Sequence, residues 1–373
     1  MKTVNSKNRI SELLSYADIQ IDGNNPWDIK VYNDNFYARV LTDGTLGAGE
    51  SYMDKWWDCD QLDEFSSHVI KADLQDRIRS NRKLLSEILL LKIFNKQSKS
   101  HSFDNSQKHY DLGNDLFINM LDKRLVYSCG YWKDAHSLDE AQENKLDLTC
   151  RKLYLSPGMK VLDIGCGWGG FAKYAAEKYS VKVTGITVSK EQAESGKKIC
   201  SDLPVDIKLM DYRDLNDKFD RIVSIGMIEH VGYKNYNTFM HVTNQCLKDD
   251  GLFLLHTIGS NNSGIYNDPW ITKYIFPGSN LPSIKQIGKS TEGLFTMEDL
   301  HNFSADYDKT LMAWHDNFAR NWDNIKNKYN ERFFRMWKYY LLSCAGSFRA
   351  RKNQLWQIIF SKKGVPGGYV SVR

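Results

Sequence analysis

The stretch Val161-Leu162-Asp163-Ile164-Gly165-Cys166-Gly167-Trp168-Gly169-Gly170 constrains this chain more than any other. Apolar residues run into Asp163 and Ile164, glycines cluster, and Phe171-Ala172-Lys173-Tyr174-Ala175-Ala176 follows with helical character. The pattern is strand, glycine turn, helix. Glycine lets the backbone take positive φ and lets a ligand approach the main chain. The helix beyond it starts with unpaired N–H groups and the positive end of its dipole. These features predict a nucleotide-type cofactor site at the carboxyl edge of an α/β sheet.

Gly165, Gly167 and Gly170 spell G-x-G-x-x-G, the dinucleotide fingerprint. That reading needs an acidic residue about 20 positions on, at the tip of the second strand. Here the second strand, Val181 to Ile186, ends in Thr187-Val188-Ser189 with no carboxylate. Asp163 instead stands two residues before the first glycine, where it can meet a cationic group. Asp-x-Gly-x-Gly in that position resembles the first motif of class I S-adenosylmethionine methyltransferases. A turn needed only for tight strand–helix packing is the third reading.

From residue 157 onward, strands are predicted at 160–164, 181–186, 206–210, 220–225 and 252–258, with helices near 169–179, 189–199 and 235–248. This alternation implies a doubly wound, mostly parallel sheet, seven-stranded if the family pattern holds, with late strands near 309–316 and 354–361. Residues 1–95 read as a smaller α+β or mainly helical accessory domain: helical at 10–19, strand-like at 27–41, and helical again through the aromatic stretch Tyr52, Trp56, Trp57, Leu62, Phe65 and the leucine-rich 70–94. Residues 96–108 read as a polar linker and 109–373 as the catalytic domain. Within it, the Gly-, Asn- and Pro-rich insertion 260–303 reads as a lid or binding loop. Between 317 and 352, Ile325, Tyr329, Phe333, Trp337, Leu341, Cys344 and Phe348 recur every three or four residues amid many Lys and Arg. That is an amphipathic helix, with its cationic side either solvated or facing anionic lipid headgroups.

Composition removes several classes. A net charge of +4 is too mild to argue for nucleic acid. Seven cysteines are odd in number, widely spread and without a C-x-x-C pair, which fits a reducing cytoplasm better than a disulfide frame or a zinc site. The polar first ten residues do not read as a signal peptide. No apolar run approaches the ~20 residues of a membrane span.

Four further segments narrow the family: Tyr127-Ser128-Cys129-Gly130-Tyr131-Trp132, Ile225-Gly226-Met227-Ile228-Glu229-His230-Val231-Gly232, Leu254-Leu255-His256-Thr257-Ile258-Gly259 and Phe303-Ser304-Ala305-Asp306-Tyr307. With the glycine turn, they resemble the bacterial cyclopropane-fatty-acyl-phospholipid synthases, strongly over 100–373. The resemblance implies methyl transfer from S-adenosylmethionine to the cis double bond of an unsaturated phospholipid acyl chain, followed by ring closure. It implies cofactor contacts from Tyr127, Ser128, Asp163, Gly165, Gly167, Thr187, Ser189, Gln192, Asp211 and Tyr212. It implies that Cys129, Glu229, His256, Tyr307 and the backbone of Ile258 hold a bicarbonate ion acting as base, and it marks Cys344 as an active-site position. It also implies a homodimer, peripheral attachment to the inner face of the cytoplasmic membrane, and a cytoplasmic location.

The chemistry sets its own demands. Methyl transfer to an alkene leaves a carbon cation, and the proton lost afterwards comes from the added methyl. The site must supply a dry apolar slot, aromatic faces and a base near that methyl. Water would trap the cation as an alcohol. An ionised Glu229 beside an anion is repulsive, so a raised pKa, a shared proton or a protonated His256 is expected. Singly, Cys129, His256 and Tyr307 read as ordinary packed residues, Glu229 as helix-dipole stabilisation and Asp211 as a turn residue; Cys344 also falls on the apolar stripe of its helix. A nicotinamide oxidoreductase is disfavoured by the missing acid after Ile186, and a non-catalytic lipid-binding protein by the complete set of polar residues. A related methyltransferase that leaves a methylene or methyl branch stays open on sequence alone.

Overall fold

The computed structural model describes residues 2–74, 113–264 and 268–373. The chain falls into two units: 1–120 with 268–277 and 314–352, and 121–267 with 278–313 and 353–373. The residues read as a linker, 96–108, lie outside the described residues, as does most of the leucine-rich 70–94.

The first unit is mainly helical. Helices Lys2–Ser15, Asn35–Asp43, Thr45–Met53 and Leu62–Lys71 surround a ribbon of β1 (Ile29–Val31) and β2 (Trp57–Cys59), paired antiparallel with Ile29 opposite Cys59. Trp57 is fully buried and meets the rings of Phe36, Tyr52 and Phe65 at 5.1–5.9 Å. So 27–41 holds one short strand and then a helix, and the aromatic stretch after Tyr52 turns into a strand at Trp57. Phe36, Tyr37 and Leu41 recur at helical spacing there and are all buried.

The amphipathic helix runs Glu331–Arg349, capped by the Asn330 side chain accepting from Phe333 N–H. Its apolar stripe, Phe333, Trp337, Leu341 and Phe348, is buried. At Gly346 an added Cβ would lie 2.3 Å from the Asp63 carbonyl oxygen, so only glycine allows this approach to helix Leu62–Lys71. The cationic side is engaged within the unit. Arg332 pairs with Asp54, Arg335 with Asp58 and Arg349 with Asp63 and Glu64. Arg335 also lies 3.9 Å from the Tyr52 ring centroid. These arginines are thus paired with acidic partners from the N-terminal segment.

The second unit carries the sheet. Its strands are β3 (Lys160–Ile164), β4 (Lys182–Thr187), β5 (Val205–Leu209), β6 (Phe219–Ile225), β7 (Leu247–Ser260), β8 (Thr296–Asn302) and β9 (Asn353–Ser361), in the order β5-β4-β3-β6-β7-β9-β8. β3 to β7 pair in parallel, and β9 runs antiparallel between β7 and β8. Alternate residues feed two cores. Val161, Val183, Ile207, Val223 and Leu254 face one side, packed with helices Leu138–Lys152 and Gly170–Tyr179. Leu162, Ile164, Ile222, Phe253 and Leu255 face the other, with helix Tyr236–Cys246. Burial on both faces is what parallel strands require. The chain leaves β3 toward β4 and β5, then returns to β6 on its other side. That reversal opens the crevice where ligands bind in such sheets.

Two expectations are corrected. Residues 309–316 are not a strand but part of helix Ala305–Arg320. Leu311, Trp314 and Phe318 are buried at three- and four-residue spacing, which overrides the short apolar run. The seventh strand is β8, Thr-Met-Glu-Asp-Leu-His-Asn, inside the segment read as a lid. Among its described residues the 260–303 segment contains helix Pro269–Tyr274, helix Ile284–Thr291 with a Ser283–Gln286 capping box, and this edge strand.

Candidate active site

The glycine turn follows β3 directly. Gly165, Gly167 and Gly169 have φ of 84°, 54° and 85°, values that side chains other than glycine adopt at a cost. At Gly165 an added Cβ would also meet Met227 Cγ at 2.8 Å, whereas at Gly167 it would meet nothing within 4 Å. Gly167 faces open space, a cavity of about 440 Å³. Tyr127, Ser128, Asp163, Gly165, Gly167, Thr187, Gln192, Asp211 and Tyr212 all line it. Ser189 does not; its hydroxyl accepts from Gln192 N–H and caps helix Lys190–Ile199.

Polar groups around this cavity are largely partnered. Thr187 Oγ1 donates to Gln192 Oε1 at 2.8 Å. Asp211 accepts from Arg213 Nε and Nη2 at 2.8 and 2.7 Å, which holds its carboxyl down at about 2. Lys145 Nζ donates to Ser128 Oγ at 2.9 Å, and Gln142 Nε2 donates to Ser128 O at 2.7 Å. Asp163 and Lys145 are both fully desolvated: burial pushes the carboxyl up to about 7 and the amine down to about 8, and each charge partly offsets the other's loss.

Glu229 follows β6, between Met227 and His230, both of which line the cavity. Its Oε1 accepts from Ile258 N–H at 2.8 Å. Its Oε2 is buried without a hydrogen-bond partner among the described residues. Burial pushes the carboxyl up to about 7, against hydrogen bonds that include the one from Ile258. His256 lies on β7, across from Ile225 in the pairing with β6. Its Nδ1 stands 3.3 Å from Gln357 Nε2, and its Nε2 is buried and unpartnered among the described residues. Burial, then Lys145 and Lys152, holds the imidazole well below its ordinary value, so it is neutral. Of the three protonation schemes, the structure favours a raised Glu229 over a charged His256.

Cys129 sits on a loop docked to helix Ala305–Arg320, which also carries the buried Tyr307. Gly130 N–H donates to Thr310 Oγ1 at 3.1 Å and Trp132 N–H to Asp306 Oδ2 at 2.8 Å. The Cys129 thiol lies 3.1 Å from Gly130 O, and burial raises it well above its ordinary value. An aromatic bridge joins this loop to His256. The Phe303 ring stands 5.4 Å from Tyr131 and 5.8 Å from His256. Cys344 belongs to the first unit. Burial pushes its thiol up to about 12, which makes it a poor nucleophile at neutral pH.

Sequence reasoning missed the residues behind these. Helix Leu138–Lys152 buries a polar stripe, Gln142, Lys145, Thr149 and Lys152, all fully inaccessible. The three- and four-residue spacing is visible in the sequence, but such a stripe normally marks a solvated face.

The sheet order, the glycine turn and the cavity define a class I S-adenosylmethionine-dependent methyltransferase. The residues fit that cofactor, since the turn opens onto the cavity at Gly167, where an added side chain would meet nothing within 4 Å. The chain belongs to the family described as mycolic acid cyclopropane synthetase, whose model matches residues 97–358. It is 55% identical over 358 residues to the cyclopropane-fatty-acyl-phospholipid synthase of Escherichia coli K12, spanning 96% of this chain and 94% of that one. Among solved structures it is similar to the cyclopropane synthase MmaA2 from Mycobacterium tuberculosis (32% identity, TM-score 0.64) and to the mycolic acid cyclopropane synthase CmaA1 complexed with SAH and CTAB (34%, TM-score 0.64). Each comparison covers 70% of this chain and 98% of the other.

Proposed function

We propose that this enzyme adds the methyl carbon of S-adenosylmethionine across the cis double bond of unsaturated acyl chains in membrane phospholipids, forming a cyclopropane ring. The 55% identical relative bears the name of that activity. The observation that carries the reading is the pair of buried, unpartnered atoms, Glu229 Oε2 and His256 Nε2, next in the chain and sheet to residues lining the cofactor cavity.

When bound, S-adenosylmethionine supplies an electrophilic methyl group and bicarbonate supplies a base. Tyr127, Ser128, Thr187, Gln192, Asp211 and Tyr212 bind and orient the cofactor around the Gly165–Gly167 turn. The buried surroundings of Glu229, His256 and Cys129 exclude water from a carbon cation on the acyl chain. Tyr131 and Phe303 offer aromatic faces to that positive charge. A neutral His256 with Nε2 protonated donates to an anion. A Glu229 carboxyl pushed up to about 7 is half protonated at pH 7 and mostly protonated below it, so its repulsion of the anion is reduced. Tyr307 and Cys129 complete the anion's surroundings from helix Ala305–Arg320 and its docked loop. Cys344 has no covalent role.

No helix among the described residues is long and apolar enough to cross a membrane. A phospholipid substrate has the enzyme work at the inner face of the cytoplasmic membrane as a peripheral homodimer, with the N-terminal residues aiding lipid engagement and dimer formation. Sedimentation of the full chain with anionic vesicles, and its mass in solution, test those two points.

The decisive assay incubates the enzyme with labelled S-adenosylmethionine and vesicles of unsaturated phospholipid, followed by mass analysis of the acyl chains. A gain of one CH2 with loss of the double bond is expected. A methylated chain that keeps an alkene would overturn ring formation.

A further inference from the structure

A row of side chains crosses three strands on one face of the sheet. Gln357 on β9 is the direct partner of His256 on β7 and of His301 on β8. Lys152, from the buried polar stripe of helix Leu138–Lys152, reaches into this row. Its Nζ lies 2.9 Å from Gln357 Oε1 and 3.0 Å from His301 Nδ1. Gln357 Nε2 lies 3.1 Å from Thr149 Oγ1 and 3.3 Å from His256 Nδ1. Lys152, Thr149, Gln357 and His256 are all buried.

The donor inventory fixes the direction of each bond. Burial pushes the Lys152 amine down to about 7, yet its N–H groups donate whether it is charged or neutral. The oxygen end of the Gln357 amide therefore faces Lys152, and the NH2 end faces Thr149 and His256. The Thr149 hydroxyl spends its own proton on Lys145 O at 2.8 Å, so its oxygen accepts from Gln357. The second amide hydrogen of Gln357 points at His256 Nδ1. Were Nδ1 protonated, two donors would confront each other in a buried site. A neutral imidazole whose Nδ1 accepts carries its proton on Nε2.

We infer that Lys152 and Gln357 are positioning residues that lock His256 in the Nε2–H tautomer, so that the ring presents a buried, unpaired N–H donor to a small oxyanion. The unpartnered Nε2 is what this arrangement leaves over. A buried donor without an acceptor is costly, and the cost falls when an anionic oxygen meets it. The same helix serves the cofactor side, since Gln142 and Lys145 hold Ser128. One stripe of buried polar residues thus orders both ends of the active site. The identity of the oxyanion rests on the reaction proposed above; the tautomer does not.

The test is long-range ¹⁵N–¹H correlation NMR on the full chain with ¹⁵N-labelled histidine, the His256 signals being assigned by their loss in His256→Gln. The wild-type ring is expected as neutral with Nε2 protonated. Gln357→Glu places a carboxylate against Nδ1 and is expected to give Nδ1–H or a charged imidazolium. With that switch, kcat falls at least about 10-fold, as for other residues that orient a functional histidine, while cofactor affinity is unchanged. A wild-type ring protonated on Nδ1 overturns the inference whether or not the Gln357 variant folds. So does a Gln357→Glu ring that keeps the wild-type pattern. A locked tautomer in an enzyme that makes no cyclopropane would leave this inference standing and remove the functional proposal instead.

Discussion

The two ends of the proposed active site solve opposite problems. Around the glycine turn, three pairs of polar side chains that line the cavity are tied together: Thr187 to Gln192, Asp211 to Arg213, Ser128 to Lys145. At the β6–β7 end, Glu229 and His256 each keep one buried atom without a partner among the described residues, and burial moves both toward neutrality. A set of satisfied groups is rigid and waits for a ligand of fixed shape. A set of unsatisfied buried groups stores a demand for hydrogen bonds that a bound ion meets. On this comparison, damage at the first end lowers affinity and damage at the second lowers turnover.

The largest expected effect is at the second end. His256→Ala should cost about 10²–10⁴-fold in kcat, the range for loss of a positioned proton-handling group, with cofactor affinity by calorimetry unchanged. Equal losses in both would erase the distinction between the two ends. Gly165→Val acts oppositely. It combines φ of 84° with a Cβ 2.8 Å from Met227 Cγ. At ~1–3 kcal/mol of strain, the cofactor should bind about 10–100-fold more weakly.

Glu229→Gln sharpens the comparison through pH. The wild-type carboxyl titrates near 7, raised from 4.5 by burial. If the protonated form is the active one, wild-type kcat falls as pH rises through about 7, and the variant's profile is flat across that window. Stability carries the same sign. A raised folded-state pKa contributes stability that is full below 4.5 and is lost as pH rises through about 7. Denaturant titrations should show the wild type losing stability relative to Glu229→Gln over that interval. The smallest effect belongs to Ser189→Ala, which removes a helix cap for about 1 kcal/mol of stability and leaves turnover intact.

Much of this was legible in the sequence because backbone demands leave few alternatives. Gly165 and Gly167 occupy positive φ, and buried apolar runs such as Val161-Leu162 in β3, Ile222-Val223 in β6 and Leu252-Phe253-Leu254-Leu255 in β7 mark the central strands. β8 was not legible, because an edge strand can be polar and Thr-Met-Glu-Asp-Leu-His-Asn has no apolar alternation. The helix Ala305–Arg320 hid behind Leu311-Met312-Ala313-Trp314, a run too short to show its period. The family motifs pointed to Glu229, His256 and Ile258 but not to the bond between Glu229 and the Ile258 N–H. Lys152 and Gln357 carried no signal, since polar residues at helical spacing, or one glutamine in a strand, acquire meaning only when burial is known. The arginines of helix Glu331–Arg349 suggested lipid because their acidic partners lie over 270 positions away in sequence.

The central claim is that the unsatisfied end holds a small oxyanion that takes part in turnover. Its most direct test is to strip dissolved carbon dioxide and bicarbonate from the full-length enzyme and its vesicles, measure cyclopropane formation, and add bicarbonate back. The account predicts a rate that collapses on removal and recovers on addition, with cofactor binding constant throughout. A rate indifferent to bicarbonate would contradict it.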